Sequence, residues 1–197
     1  MPSSGFVRQG GLASVIGGVA YAAGIVFSSL GGFGYWLDRA NAGFLSVLLV
    51  GVLATLAALA RLYVSREENG GYRRSGVLVS LATFVSVALL FSGAVIEALV
   101  GPPAQQGTTF ERGLGWFVPY LLVAGALGAT GGLLVLGVLT LSSGVLPRWC
   151  GTMLFVGSPP VYILLATVET PILLAVPALA WALVGYALFR AEAHPPP

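Results

Sequence analysis

From Gly76 to Val100 the chain runs 25 residues with a single charged side chain, Glu97. Such a stretch cannot form the surface of a water-soluble domain, where polar residues must recur at the strand or helix period. It suits the hydrocarbon core of a bilayer, about 30 Å thick, which a helix crosses in about 20 residues. Five further blocks share this character, at 11–35, 43–63, 116–142, 150–167 and 170–189. The whole chain is 57% hydrophobic and 8% charged, far from the balance of soluble domains. Lipid offers peptide groups no hydrogen-bond partner, and the blocks lack the two-residue alternation of barrel strands. The predicted fold is therefore an all-α integral membrane protein, a six-transmembrane-helix bundle forming one membrane domain over residues 1–197. A short polar, proline-rich tail occupies 190–197, and no soluble domain is expected at either end. The first block is too long for a signal-peptide core and no convincing small-residue cleavage site follows it, so it is read as a retained helix.

Charge sets the predicted orientation. Six crossings place Arg8, Arg61, Arg66, Arg73, Arg74, Arg148 and Arg190 on the face that carries the termini, against Arg39 and Arg112 opposite. Arginines in short loops mark the cytoplasmic side, so both termini are expected in the cytoplasm. The stretch "SREENGGYRRS", residues 65–75, is then a topology signal that also suits anionic headgroups.

Its Glu67 and Glu68 resemble the paired glutamates of intramembrane CAAX-type proteases, which are followed after three residues by arginine. Here Tyr72 stands at the arginine position, and the helix histidines such enzymes need are missing, since the single histidine is His194 in the tail. Other membrane chemistries are excluded in the same way. The chain has no lysine for a retinal Schiff base, one cysteine, Cys150, where a dithiol oxidase needs a pair, and one aspartate, Asp38, where an aspartyl protease needs two. No catalytic residue, metal site or cofactor is expected, and no nucleic-acid contact.

Two features remain as candidates for function. Glu97, in "SGAVIEALVG", lies about one turn inside the outer end of the third block. A carboxylate there must snorkel, pair or protonate, so it is either an interfacial residue reaching water or Arg112, or a cation or proton site. The second feature is "FVGSPPVYILL", which puts Pro159 and Pro160 midway along the fifth block. Each proline lacks an N–H, so the Phe155 and Val156 carbonyls are expected to lose their helical partners; Pro177 is expected to free the Leu173 carbonyl. Unwound backbone at mid-depth is tolerated where it is packed in protein or lines a cavity. The break therefore either shapes packing or builds a site, and the candidate ligand-binding set is Glu97, Ser92, Tyr120, Ser158 and Tyr162. Glu169 reads as a loop residue before a helix capped by Thr170 with Pro171 in its first turn.

Small residues recur at spacings of three and four in the first block (Gly17, Ala20, Gly24, Ser28, Gly31) and the fourth (Gly125, Gly128, Gly132). Such faces let helix backbones approach closely and form contact seams, either inside the bundle or against a second copy or a membrane-protein partner. Trp36, Trp116 and Tyr120 are expected in an outer aromatic belt, with Tyr63, Tyr72 and Trp149 in an inner one. Three plus three helices raises the question of an inverted repeat, but no residue pattern is carried between the halves.

The segments "GGLASVIGGVAYAAGI" and "LPRWCGTMLFVG" resemble the first helix and the arginine-tryptophan start of a late helix in uncharacterised small multi-pass membrane proteins of GC-rich bacteria. The resemblance implies a location, the cytoplasmic membrane, and no activity. In size, helix number and small-residue seams the chain is also similar to the substrate-binding components of vitamin uptake transporters, none of whose ligand-binding motifs is present. The expected function is binding or transport of a small solute in the outer half of the bundle near the broken fifth helix. The alternative is a non-catalytic accessory or scaffold subunit held through its glycine faces.

Overall fold

A computed structural model describes residues 4–30, 34–65, 70–100, 109–166 and 171–193; for some residues inside these segments, Glu97 among them, the backbone alone is described. The elements are α1 (Ser4–Leu30), α2 (Gly34–Ser65), α3 (Gly70–Val100), α4 (Thr109–Ser143), α5 (Arg148–Val156), α6 (Pro159–Ala166), a 3-10 helix (Pro171–Leu174) and α7 (Ala175–Ala193). Among the described residues the structure is entirely helical outside short connections. Five helices, α1, α2, α3, α4 and α7, are long and apolar enough to cross a membrane. The block expected as the fifth crossing is two short helices, α5 and α6, in place of one continuous span.

Sequential neighbours pack side by side. α1 lies on α2, α2 on α3, α3 on α4, α4 on α5, α5 on α7, and α7 returns to α1, which closes a ring. The outward faces are apolar, with Leu12, Ile16 and Val19 of α1, Leu78 and Leu81 of α3, and Val123 and Leu127 of α4 all exposed. That inversion of the soluble pattern is what contact with a bilayer requires.

Helix ends depart from the hydropathy reading. α1 stops at Leu30 and α2 has begun by Gly34, so Tyr35 belongs to the second helix and residues expected in a loop at 36–42 are helical. Likewise α3 begins at Gly70 and takes in Arg73 and Arg74, and α4 begins at Thr109. Hydropathy reports where a helix fits in lipid; hydrogen bonding lets it run on into the interface. The last helix has Pro171–Leu174 as a 3-10 turn, and Pro177 falls in the first turn of α7, where its missing N–H costs nothing. Pro119, not singled out from the sequence, lies inside α4 on an exposed face.

The described glycines of these faces are internal; Gly31 and the Ser28 side chain lie outside the described residues. A methyl group at Gly10 or Gly17 would sit 2.7 Å from the Ala54 or Val47 carbonyl oxygen of α2, and one at Gly24 would strike the Phe44 ring. One residue along, Gly11 and Gly18 press against α7, Gly11 meeting Gly185 and Gly18 meeting Ala178 and Ala182. α1 thus carries two small-residue stripes at a seven-residue period and is wedged between its neighbours in sequence and at the chain's end. On α4, Gly125 packs on Leu90 and Ser86, Gly128 on Ser86, and Gly132 on Thr83.

Tyr63, expected at an interface belt, is 2% exposed, packs over Gly76 and has its hydroxyl 3.4 Å from that of buried Thr140. A phenol can enter an apolar core once its oxygen has a partner, and the helix pairing supplies one. Trp116 and Tyr120 are exposed, at 74% and 68%.

Substitution Gly125→Leu is expected to destabilise the bundle by about 1–3 kcal/mol through forced separation of α3 and α4. Gly131→Ala, with open space around the site, should be neutral or stabilising by up to about 1 kcal/mol. Thermal unfolding of the two detergent-solubilised variants against the parent chain measures both.

Candidate functional site

The break between α5 and α6 follows directly from "GSPP". Neither Pro159 nor Pro160 can donate to the turn before it, so α5 ends at Val156 and the chain restarts its helix at Pro159, a favoured first position. The Phe155 carbonyl, which loses Pro159, accepts instead from the Ser158 N–H at 3.1 Å and the Ser158 hydroxyl at 2.6 Å. The Phe155 carbonyl thus loses its helical partner as expected, and the serine immediately before the prolines replaces the missing donor. Val161 N–H goes to the Ser158 carbonyl at 3.1 Å, which releases the Gly157 carbonyl, and this one is taken by the indole Nε1–H of Trp181 at 2.9 Å. Trp181 itself is held from behind, since the Ser14 hydroxyl of α1 donates to its backbone carbonyl at 2.8 Å. Gly157 has no room for a side chain, because a methyl group there would meet Nε1 at 2.7 Å.

Above this latch the ring encloses a cavity of about 370 Å³. Its wall comes from α2 (Leu45, Leu48, Leu49, Val52), α3 (Val87, Leu90, Ala94), α4 (Leu122, Ala126, Ala129, Leu133), the break and α6 (Gly157, Pro159, Tyr162) and α7 (Trp181). Burial grades along it. Val52, Val87, Leu133 and Trp181, at mid-depth, are at most 5% exposed, whereas Leu45, Ala94 and Leu122, toward the end of the bundle opposite the termini, are half-buried. The deepest part of the lining is thus at mid-depth, and its more exposed residues lie toward that end. The wall of this well is hydrocarbon. The Trp181 donor is committed to Gly157, and the Tyr162 hydroxyl is occluded by protein and has no hydrogen-bond partner among the described residues, so Tyr162 gives the cavity its ring and not its oxygen.

The five ligand-binding candidates separate accordingly. Tyr162 lines the cavity, and Ser158 is buried beside it with its hydroxyl turned back on Phe155. Ser92 is exposed and donates to the Ala88 carbonyl at 2.8 Å on its own helix, and Tyr120 is exposed on the outer face of α4; neither reaches the well. The backbone of Glu97 lies in α3 and its side chain is outside the described residues. Pro159 lines the well, Pro160 is exposed, and Pro177 is buried in α7. Sequence reasoning sought polar groups and so missed both the leucine and alanine wall and Trp181. One signal for the latter was present: a tryptophan seven residues into an apolar helix, away from any interface, has an N–H that must find a partner. Among the described residues no group of histidine, cysteine or carboxylate side chains is placed to hold a metal.

Replacing Trp181 by Phe keeps most of the ring and removes the donor, leaving the Gly157 carbonyl unpaired in an apolar setting. A loss of about 1–3 kcal/mol is expected, with faster amide hydrogen exchange across 157–162 and little change in α2 or α3.

No protein-family model matches this chain, and neither the curated proteins nor the solved structures compared with it include a match.

Proposed function

We propose that this is a six-crossing protein of the bacterial cytoplasmic membrane, with both termini in the cytoplasm, that binds a small apolar molecule in the well between its helices. The broken α5–α6 pair counts as the sixth crossing. Even parity is supported by the Arg8 guanidinium at the start of α1 lying 4.7 Å from the centre of the Phe189 ring near the end of α7. The arginine-rich segments at that end support its cytoplasmic placement.

The observation that carries the binding reading is the size and chemistry of the well. A cavity of 370 Å³ with an apolar wall leaves its lining side chains without dispersion partners on one side. Water is a poor filler, because each molecule needs two to four polar partners and this wall presents none. An apolar guest recovers the dispersion contacts that the wall lacks, and the volume lies within the usual range of small-molecule sites. The solute this reading calls for is one met by hydrocarbon, whereas the sequence alone pointed to one met by carboxylate and hydroxyl groups. The alternative, an accessory subunit assembled through glycine faces, finds those faces occupied by the chain's own helices.

Native mass spectrometry of the full chain released from nanodiscs should show an added small-molecule mass, which Ala126→Trp, filling the well, removes while the protein stays folded. Parent and variant spectra without any such mass count against the reading. Reporter fusions at the two termini should both report the cytoplasm; opposite signals from the two ends would exclude six crossings.

A further inference from the structure

We propose that the occupant of the well is a single hydrocarbon tail of an amphiphile, inserted end-on with its polar group left at the rim. This rests on the reading of the well as an apolar-ligand site and adds the shape and direction of the ligand. Three observations carry it. The lining is most buried at mid-depth, where Trp181 is pinned to Gly157 and Val52, Val87 and Leu133 are buried, and more exposed at Leu45, Ala94 and Leu122, so the innermost end of a guest lies at mid-depth. The wall offers no polar atom along its depth, so the inserted part of the guest carries no group that needs a partner.

The third observation is length. Lining residues run from Leu45 to Val52 on α2 and from Leu122 to Leu133 on α4, which at 1.5 Å per residue gives a depth of about 10–16 Å. An extended tail of roughly eight to twelve carbons spans that depth and places its head among the ends of α2, α3 and α4, at the membrane interface. A compact apolar molecule would fill the floor and leave the upper well open. Straight acyl chains and branched isoprenoid chains share this chemistry.

The test is a competition in nanodiscs holding the full-length protein. An equimolar series of straight-chain alcohols from hexanol to hexadecanol, with farnesol added, is equilibrated with the discs, and the molecules retained on the protein are identified by native mass spectrometry. Retention is expected to peak near decanol, at least about fivefold above hexadecanol, because longer tails meet the floor. Raising the floor with Val52→Phe, or independently Val87→Phe, should move the peak to shorter chains, and Ala126→Trp should abolish retention. Retention that is flat with chain length, or a peak that neither floor variant moves, overturns the tail assignment while leaving an apolar-ligand site in place. Absence of every probe from the parent protein overturns the site itself. Farnesol above decanol assigns the tail to the isoprenoid class, and the reverse order to the acyl class.

Discussion

The hydrogen bond from Trp181 Nε1 to the Gly157 carbonyl is the contact on which the inner architecture turns. In lipid an unpaired peptide oxygen costs several kcal/mol, so a proline break at mid-depth survives where each released carbonyl is met. At this break Ser158 meets the Phe155 carbonyl and Trp181 the Gly157 carbonyl. Because Trp181 comes from α7 and is itself held by Ser14 of α1, satisfying the break ties together three separated parts of the chain. The same indole lines the well, so the element that makes the break tolerable is also part of the cavity wall.

The second requirement is closeness. With lipid outside, helices gain no hydrophobic energy by meeting, and association depends on how near the backbones come. Glycines deliver that nearness at α1–α2, α1–α7, α3–α4 and, through Gly137 and Gly151, α4–α5. Among the described residues no glycine bridges α2 to α4, and between their leucines, such as Leu45, Leu49 and Leu122, the ring stands open and the well remains.

Much of the architecture was legible in the sequence because the bilayer imposes it: long apolar blocks can be little else than helices, and five of them are. The proline break was legible for the same reason, since a missing N–H is a local fact. What the break does was not. Whether a freed carbonyl meets a cavity or a partner depends on Trp181, twenty-four residues away in sequence and adjacent only in the folded ring. Hydropathy likewise placed Tyr63 at an interface, because it cannot see that Thr140 waits for the phenol in the core. The cavity was the least legible part. A search for polar side chains reaches Ser92 and Tyr120, which face outward, and passes over a wall of leucines and alanines that look in sequence like any other lipid-facing residues.

The two stripes on α1 give the ring an order of assembly. Gly10 and Gly17 find their partners once α2 is inserted, but Gly11, Gly18 and the Ser14 hydroxyl face α7, which is made after α2 to α6. For most of synthesis that face has no protein against it, and Ser14 must turn back on a carbonyl of its own helix. The ring is a clasp that shuts when α7 arrives, so a chain stopped before Trp181 retains its neighbouring helix pairs and has no closed ring.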